Sequence, residues 1–332
     1  MYYESYQKKP KRRQPSRKRS QRRQPFGEWL MQGLLKLIAL ALTIVLLLAG
    51  LLYLLPPALF AVEPEGVNLA LTDGLPASCL NVLLLGVDDL RDGAQRSDAV
   101  MIASVGYGRF KLTSMMRDTL VEIPGHGRNK LNAAYAYGGA EMVMRTLNQN
   151  FGLNIMHYAQ VDYLALVRII DAIGGVEIDL SEAERERLNV AMLKTRSVFE
   201  PLGYVAHEVT QYGEGIHLDG LQALSYARIR KIDSDFVRTN RQRTLLNAIV
   251  GKLRRNLWNP AMLARLTQTV MASVKTNMSA MQILSLGEKA LLTGGADQLR
   301  LPVEGTYTDD GSKLTITNYN ANRAAFIRFV YE

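Results

Sequence analysis

The residues of this chain best suited to chemistry are arginines and aspartates that stand where apolar runs of the sequence end. Arginine side chains offer planar forks of hydrogen-bond donors that match the oxygens of phosphate. Several arginines gathered in one cleft therefore predict a polyanionic ligand, either a phosphate or a pyrophosphate. The charged and polar members of this set are Asp88, Arg96, Asp98, Arg117, Asp118, Lys130, Arg228, Arg230, Asp235, Arg238 and Gln242.

Two of the aspartates, Asp88 and Asp98, stand at the two ends of a segment that follows an apolar run. Such a pair suits Mg²⁺ or Mn²⁺, because a hard cation takes one or two carboxylates and completes its shell with phosphate oxygens and water. For any single member of the set, the alternative is an ordinary solvated charge.

The arginines in the later part of the chain differ in whether a helix would place them on one face with another candidate residue. Arg238 and Gln242 are four residues apart, so a helix would place both on one face. Arg228 and Arg230 are two residues apart and would not share a face, which leaves open that they are solvated charges.

Other kinds of site have little support in the sequence. The G-x-S-x-G pattern that marks a nucleophilic serine is absent. The histidines lack the spacing of zinc ligands, and the single cysteine, Cys79, adds none. A lone cysteine also excludes an intramolecular disulfide, so stability must come from a hydrophobic core.

Apolar runs ended by glycine or by charge predict the strands that would position these groups. The run NVLLLGVDD, from residue 81, predicts a strand that is buried on both faces and opens into a loop. Strands at 99–105 and 109–116, joined at residues 107–108, predict a hairpin. The segment 158–180 predicts strand, helix, glycine turn and strand, and this alternation indicates an α/β fold.

Helices are predicted where apolar residues recur at helical spacing. One follows Gly138 and Gly139 and stops at Gly152. The apolar faces of the helices near 139–150 and 162–172 either line a groove for a lipid or form plain core. Further helices are expected at about 218–230, 238–253, 260–274 and 279–292, with a late strand at 298–303 and no clear pattern in 181–213.

The formal net charge of +9 is concentrated in the first 25 residues. These contain ten lysines and arginines against Glu4 alone, which leaves 30 basic and 30 acidic groups of the chain's 40 and 31. The basic segment lacks the interleaved aromatic residues or the folded element that nucleic-acid recognition requires. We therefore expect residues 1–32 to be a disordered tail with no nucleic-acid partner.

Residues 33–55 predict one transmembrane helix, with no charged residue after Lys36 and two prolines directly after the helix. The alternative is a cleaved signal peptide, but its apolar region would be shorter and a small-residue cleavage site would follow. Basic residues beside a span stay in the cytoplasm, so the tail is expected inside the cell and the remainder outside. The expected outer segments are a juxtamembrane linker at 56–79 and an extracytoplasmic domain at 80–332.

Five motifs follow one another between residues 80 and 252. They are LLLGVDD, RSDAVMIASV, SMMRDTLVEIPGHGRNKLNAAYAYGG, DAIGGVEIDL and GIHLDGLQALSYARIRKIDSDFVRTNRQ. This ordered set, behind a short basic tail and one predicted span, resembles the LytR-CpsA-Psr family. The resemblance implies an α/β domain with a mixed central sheet flanked by helices on both faces, preceded by one transmembrane helix.

The resemblance also implies roles for individual residues. The metal ligands that it implies are Asp88 and Asp98. The residues that it implies for substrate binding are Arg96, Arg117, Lys130, Arg228, Arg230, Arg238 and Gln242. The catalytic residues that it implies are Asp98, Arg117, Arg238 and Asp235. Either Asp98 or Asp235 would assist deprotonation of the acceptor, and the sequence does not choose between them.

Members of the family attach glycopolymers, such as teichoic acids or capsular polysaccharide, to peptidoglycan. The resemblance implies a Mg²⁺-dependent phosphotransferase that takes the polymer from a polyprenyl-pyrophosphate carrier and joins it to a peptidoglycan hydroxyl as a phosphodiester. The expected partners are this lipid-linked polymer, peptidoglycan and membrane lipid. The expected location is the cell membrane, with a single span and a cytoplasmic N-terminus.

Two other functions stay open at this point. A polyprenyl-pyrophosphate phosphohydrolase would use the same charged cluster with water as the acceptor. A non-catalytic sensor of lipid-linked precursors, or a transcriptional attenuator, would bind without turnover. A regulator that binds DNA directly is disfavoured, because a basic tail of about 30 residues cannot build a folded domain.

Overall fold

The computed structural model describes residues 66–76, 79–88, 96–106, 109–229, 235–279, 282–283, 286–287 and 296–332. The predicted tail and transmembrane helix lie outside these ranges and stay predictions. Within the ranges, no helix combines the length and the apolar character needed to cross a bilayer.

The strands and helices below carry labels in chain order. The strands are β1 (Leu80–Asp88), β2 (Arg96–Gly106), β3 (Arg109–Met115), β4 (Thr119–Ile123), β5 (Gly127–Lys130), β6 (His157–Asp162), β7 (Val176–Leu180), β8 (Gly213–Leu218), β9 (Lys275–Thr276), β10 (Ala296–Leu301), β11 (Tyr307–Asp309) and β12 (Leu314–Ile316). The helices are α1 (Ala134–Phe151), α2 (Tyr163–Ala172), α3 (Glu182–Phe199), α4 (Gly220–Ala227), α5 (Asp235–Arg255), α6 (Pro260–Ser273) and α7 (Tyr319–Tyr331).

A six-stranded sheet in the order β10-β3-β2-β1-β6-β9 forms the centre of the domain. The pairs β1–β2, β2–β3 and β6–β9 are antiparallel, whereas β1–β6 and β3–β10 are parallel. The expected mixed sheet is confirmed. So is the hairpin expected from 99–105 and 109–116, since β2 and β3 pair from Val100–Met115 to Gly106–Arg109.

Strand β1 lies between helical layers, which explains why its sequence is apolar without alternation. Leu83 packs in a core cluster with Leu147 of α1 and Phe326 of α7. The next residue, Leu84, points to the opposite face of the sheet and packs near Leu246 of α5. Helices therefore cover both faces of the sheet, as the resemblance implied.

Two smaller sheets complete the fold. One has the strand order β11-β12-β4-β5, and the other is the pair β7–β8. The motifs end at residue 252, but the chain beyond them builds structure, and the late strand expected at 298–303 is confirmed as β10. Strand β10 extends the central sheet beside β3, and α7 buries Phe326 and Val330 in the core.

Helix α3 contradicts the expectation that residues 181–213 lack a pattern. Its buried residues include Leu188, Met192 and Phe199, which recur at helical spacing between many charged residues. The helix begins with a capping box, because the Ser181 side chain accepts from the Glu184 N–H and the Glu184 carboxylate accepts from the Ser181 N–H. This start signal was readable in the sequence.

Helix α1 begins at Ala134, before the glycine pair rather than after it. Gly138 and Gly139 interrupt its helical backbone, and Gly139 has φ 61° and ψ −151°, a region that glycine alone adopts readily. The helix ends at Gly152 in the left-handed conformation, as the glycine stop predicted.

The chain contacts the domain well before residue 80. Asn148 donates its side-chain amide to the carbonyl of Leu69 at 2.9 Å, and the Thr72 N–H donates to the Leu153 carbonyl at 3.0 Å. Leu69 is 3% exposed. Part of the segment expected as a linker therefore packs on the core.

Candidate functional site

Asp98 lies at an irregularity in the pairing of β1 with β2. Gly86 pairs with Ala99, but the next pair is Val87 with Ser97, so Asp98 is the extra residue of a β-bulge. A bulge bends the strand and redirects a side chain. Asp98 therefore lies inside β2, and not at the end of a loop as the sequence suggested. Its side chain faces a cavity.

Arg117 links Asp98 to a network of side chains of alternating charge. Its Nη1 donates to Oδ1 of Asp98 at 2.6 Å, and its Nε donates to Oδ2 of Asp118 at 3.2 Å. Lys130 donates to the other oxygen of Asp118 at 3.0 Å. The N–H of Asn132 donates to the Arg117 carbonyl at 3.0 Å and so fixes the backbone there. This network of ion pairs orients the Asp98 carboxylate and offsets its charge.

The cavity beside Asp98 has a volume of about 230 Å³ and lies between the central sheet and helices α2, α4 and α5. Its polar lining consists of Asp98, Asp162, Tyr163, Arg228, Arg238 and Gln242. Its larger apolar lining residues are Leu84, Leu85, Met101, Val161, Leu166, Leu224, Leu245 and Leu246. The cavity thus offers guanidinium groups to a ligand that is otherwise surrounded by aliphatic side chains.

Arg228 follows the end of α4, so it lies outside the helix, although the sequence predicted a helix over about 218–230. Its guanidinium carbon lies 4.5 Å from the centroid of the Tyr163 ring, a cation–π contact. The hydroxyl of Tyr163 donates to Oδ2 of Asp98 at 3.4 Å. The buried Nη1 of Arg228 has no hydrogen-bond partner among the described residues, which leaves a donor for an anionic ligand.

Helix α5 brings Arg238 and Gln242 to the cavity, so the expected shared face is confirmed. Arg238 is 4% exposed. An ion pair joins α5 to α3, because the Nε of Arg241 lies 2.9 Å from the Glu184 carboxylate. Burial raises the pKa of Glu184, but hydrogen bonds from Arg241 and Ser181 outweigh it and hold that pKa below its ordinary value.

The second predicted metal ligand, Asp88, is the last residue of β1 and is 2% exposed. Opposite it in the strand register is Arg96, an exposed residue that begins β2. Asp88 and Asp98 thus place two carboxylates on neighbouring strands, a donor set that fits Mg²⁺ or Mn²⁺ with substrate oxygens as further ligands. The described residues contain no group of three or more His, Cys, Asp or Glu side chains able to hold a metal ion.

The predicted site residues fall into three groups. Those that line the cavity are Asp98, Arg228, Arg238 and Gln242. Those near it that are not part of its wall are Asp88, Arg96, Arg117 and Lys130. The last group lies outside the described side chains and consists of Arg230 and Asp235, the latter being described only as the first residue of α5.

Of the two helices predicted either to line a lipid groove or to form core, only one lines the cavity. In α1, Val143 and Leu147 are fully buried in the main core cluster, so this helix is plain core. Helix α2 contributes Tyr163 and Leu166 to the cavity.

Sequence reasoning missed two polar residues of the cavity. Asp162 accepts a hydrogen bond from the Ala165 N–H at 2.7 Å and caps α2, and an aspartate directly before a helical run was a usable signal. Tyr163 carried no signal, because its contacts with Asp98 and Arg228 depend on neighbours brought from β2 and α4.

Comparison with known proteins places these residues in a family. The profile of the LytR_cpsA_psr family matches residues 65–325. The chain is 30% identical over 266 residues to the regulatory protein MsrR of Staphylococcus aureus strain COL, covering 76% of this chain and 75% of the relative. It is 36% identical over 182 residues to the polyisoprenyl-teichoic acid–peptidoglycan teichoic acid transferase TagU of Enterococcus faecalis strain ATCC 700802 / V583, covering 52% and 53% of the two chains.

A solved structure shares the fold. The structure of TagT bound to LI-WTA superposes with a TM-score of 0.59 at 24% identity, covering 76% of this chain and 89% of that chain. The matched residues include the bulge at Asp98, the ion-paired residues from Arg117 to Lys130 and every residue that lines the cavity. The chain therefore belongs to the LytR_cpsA_psr family.

Proposed function

We propose that this protein is a phosphotransferase that moves a glycopolymer from a polyprenyl-pyrophosphate carrier to a peptidoglycan hydroxyl. The cavity is the observation that carries the proposal, because its wall is mostly aliphatic and its polar part includes Arg228 and Arg238. Such a site suits a hydrocarbon chain joined to a phosphate head. Family membership and the name of the relative TagU support the choice of polymer and acceptor.

The apolar wall supplies binding of the lipid part. Each methylene group removed from water contributes about 0.8 kcal/mol, so a few carrier carbons against Leu224 and Leu246 add substantially to affinity. The same contacts exist before and after the reaction. They bind the substrate without accelerating the chemical step.

The charged groups serve the reacting pyrophosphate. Phosphoryl transfer requires positioned groups that offset charge on the phosphate oxygens, and catalysis comes mainly from this positioning. The unpartnered Nη1 of Arg228 and the buried guanidinium of Arg238 are the donors proposed to bind these oxygens. Gln242, one helical turn after Arg238, is proposed as a neutral donor to the same group.

The reaction exchanges one phosphorus–oxygen bond for another. The acceptor hydroxyl oxygen attacks the phosphorus that bears the glycopolymer, and the bond from that phosphorus to the bridging oxygen breaks. Polyprenyl phosphate leaves with the bridging oxygen, and the hydroxyl proton passes to a base. Asp98 is held in place for this role by Arg117 and Tyr163, and Asp235 is the other candidate.

A divalent cation is part of the proposal. Asp88 and Asp98 would hold Mg²⁺ or Mn²⁺, since they lie on adjacent strands and Asp98 lines the cavity. When bound, the ion would supply positive charge that offsets the charge of the pyrophosphate oxygens.

The proposed location is the cell membrane, with residues 33–55 as a single span, a cytoplasmic N-terminus and the folded domain outside. This location suits a lipid-linked donor, which resides in the bilayer. The basic tail and the uncharged stretch after Lys36 support it.

Transfer can be tested with the purified full chain, a labelled lipid-linked glycopolymer and peptidoglycan. We expect Arg117→Ala and Arg238→Ala to abolish attachment, and the exposed Arg187→Ala on α3 to serve as a control without effect. If both site variants still attach the polymer, the assignment of this site is wrong. Free polymer released without attachment would instead indicate a phosphohydrolase. Unchanged donor would indicate a non-catalytic sensor or regulator, and the relative MsrR is named a regulatory protein.

A further inference from the structure

A long stretch of the chain around α6 contains no acidic residue. Residues 236–287 include eight lysines and arginines and no aspartate or glutamate. Some of these charges are neutralised by other elements, since Glu177 pairs with Lys252 at 2.7 Å and with Arg255 at 2.9 Å. Arg238 and Arg241 are buried, so only part of the positive charge of the stretch reaches the surface.

Of the basic residues of this stretch that make no ion pair with any residue that the structure describes, three lie in α6 or near it in sequence. Arg265 and Lys275 are exposed, and Arg254 is partly exposed. In sequence, Arg254 precedes α6, Arg265 lies within it and Lys275 follows it. Their charge is therefore available to an anionic partner.

The outward face of α6 is unusually apolar for a helix face in water. Met271 is 63% exposed, and Trp258, two residues before the helix, is 92% exposed. The exposed residues of the helix are Pro260, Ala261, Ala264, Arg265, Thr267, Gln268, Met271 and Ala272. Solvated helix faces normally carry charges of both signs, whereas this one has a single charge, and it is positive.

We call Trp258, Met271, Arg265, Lys275 and the exposed alanines of the helix the α6 face. The inward side of the helix is already occupied, because Met262, Leu263 and Leu266 pack in a core cluster. The exposed apolar groups are thus not needed for the fold.

The end of α6 lies close to the point where the chain enters the domain. Asn277, just beyond the helix, donates to the Met156 carbonyl at 2.8 Å. Three residues before Met156, the Leu153 carbonyl accepts from the Thr72 N–H at 3.0 Å. These contacts place Asn277 and Thr72 within about 20 Å of each other, given at most about 3.6 Å of chain per residue.

The chain outside the described residues limits the distance to the membrane. The predicted span ends at residue 55 and the described chain begins at Gly66, so these two points are at most about 40 Å apart. With the span proposed at residues 33–55, this length of chain allows the α6 side of the domain to reach the bilayer surface.

We propose that the α6 face docks on the anionic surface of the membrane to which the chain is anchored. Tryptophan prefers the membrane interface, and each lysine or arginine near an anionic surface adds attraction that falls off with screening. The proposal rests on the membrane location proposed above. Docking would also place the bilayer beside the cavity, because α6 contacts α2, and Leu166 of α2 lines the cavity.

Trp258 itself is the probe for this contact. The chain has two tryptophans, so Trp29→Phe leaves Trp258 as the only one. The full chain is reconstituted into vesicles of phosphatidylcholine, with or without phosphatidylglycerol, and with or without bromine on the acyl chains. We expect blue-shifted Trp258 emission and quenching by brominated lipid in anionic vesicles, with both effects lost as salt rises from about 0.01 M to 1 M.

Charge variants test the electrostatic part. Arg265→Gln with Lys275→Gln should lower the ratio of docked to undocked protein roughly five-fold for each charge removed. The matched control removes two exposed charges on α3, Arg187→Gln with Lys194→Gln, and should leave the quenching unchanged.

Three results would overturn the proposal. The first is Trp258 emission that stays unshifted and unquenched in anionic vesicles. The second is equal quenching in vesicles of phosphatidylcholine alone, and the third is the same blue shift from a soluble anionic polysaccharide without vesicles. The reverse variant, Trp258→Phe, reports through Trp29 whether the chain is anchored at all. Transfer is measured separately, and Asp98→Asn should lose transfer while it keeps the Trp258 signal.

Discussion

The guanidinium carbon of Arg228 lies 4.5 Å from the centroid of the Tyr163 ring, whose hydroxyl group donates to Asp98 at 3.4 Å. One aromatic side chain therefore positions a cation and an anion of the same cavity. Tyr163 is 8% exposed, so both contacts are shielded from water. This arrangement separates two effects that substitution can measure independently.

Tyr163→Phe keeps the ring under Arg228 and removes the hydroxyl. Because the hydrogen bond to Asp98 is long, we expect a loss at the lower end of 0.5–1.5 kcal/mol, which is about a two- to three-fold fall in kcat. Tyr163→Ala also removes the cation–π contact, worth about 0.5–2 kcal/mol, and should further raise KM for the lipid-linked donor. Kinetics of both variants, with thermal melts to confirm folding, distinguish the contributions. Equal losses would show that the ring contact with Arg228 has no role.

Arg238→Lys retains the positive charge in the cavity and removes the planar fork of donors. A charge-assisted hydrogen bond contributes about 1.5–3 kcal/mol, so kcat/KM should fall roughly 10- to 150-fold. Arg187→Lys, on the exposed side of α3, is the matched control. Unchanged kcat/KM in Arg238→Lys would mean that Arg238 acts only as a point charge.

The ion pair between Arg241 and Glu184 makes stability depend on pH. The pKa of Glu184 in the folded protein lies below its ordinary value of 4.5, so the unfolded state binds the proton more readily. The pair therefore stabilises the fold above about pH 4.5, and this contribution is lost as the pH falls toward the folded-state pKa. We expect Glu184→Gln to lower the Tm at pH 7, with the difference from the unaltered protein shrinking below pH 4.5. A difference that does not change between pH 7 and pH 3.5 would contradict this assignment.

Asp171 should show the opposite dependence. Burial raises its pKa, although the Gly220 N–H donates to it at 2.8 Å. A buried carboxylate whose folded-state pKa is raised destabilises the fold at neutral pH, and this cost disappears below its ordinary pKa of 3.8. Asp171→Asn keeps an oxygen acceptor for Gly220, so we expect a higher Tm at pH 7 and no gain at pH 3.5. A lower Tm at pH 7 would show that the charge itself is needed.

Metal removal tests the proposed role of the Asp88 and Asp98 carboxylates. Chelator should suppress transfer, and added Mg²⁺ or Mn²⁺ should restore it. Asp88→Asn should raise the metal concentration needed for half-maximal activity, because an amide oxygen replaces a charged ligand. Full transfer activity in the presence of chelator would show that the reaction needs no divalent metal ion.

The sequence predicted the elements whose pattern is local. The apolar run of β1, the hairpin of β2 and β3, and the glycine stop at Gly152 all follow from neighbouring residues. Helix α3 was missed because its buried positions are separated by charged residues, although the Ser181–Glu184 capping box marked its start.

The site was predicted less completely, for a physical reason. The side chains of Arg238 and Gln242 share a helix face, which spacing alone reveals. The bulge that redirects Asp98 depends on the pairing of two strands, and the role of Tyr163 depends on contacts among β2, α2 and α4. Such long-range relationships leave no periodic signal in the sequence.

The central claim is that the cavity transfers a polymer and does not merely bind or hydrolyse its carrier. The most direct measurement is mass spectrometry of the products after the full chain acts on a lipid-linked glycopolymer and peptidoglycan fragments. The account predicts a phosphodiester between polymer and peptidoglycan, formed in equal amount with polyprenyl phosphate, and absent with Arg238→Ala. Polyprenyl phosphate released together with free polymer phosphate, and no phosphodiester to peptidoglycan, would contradict it.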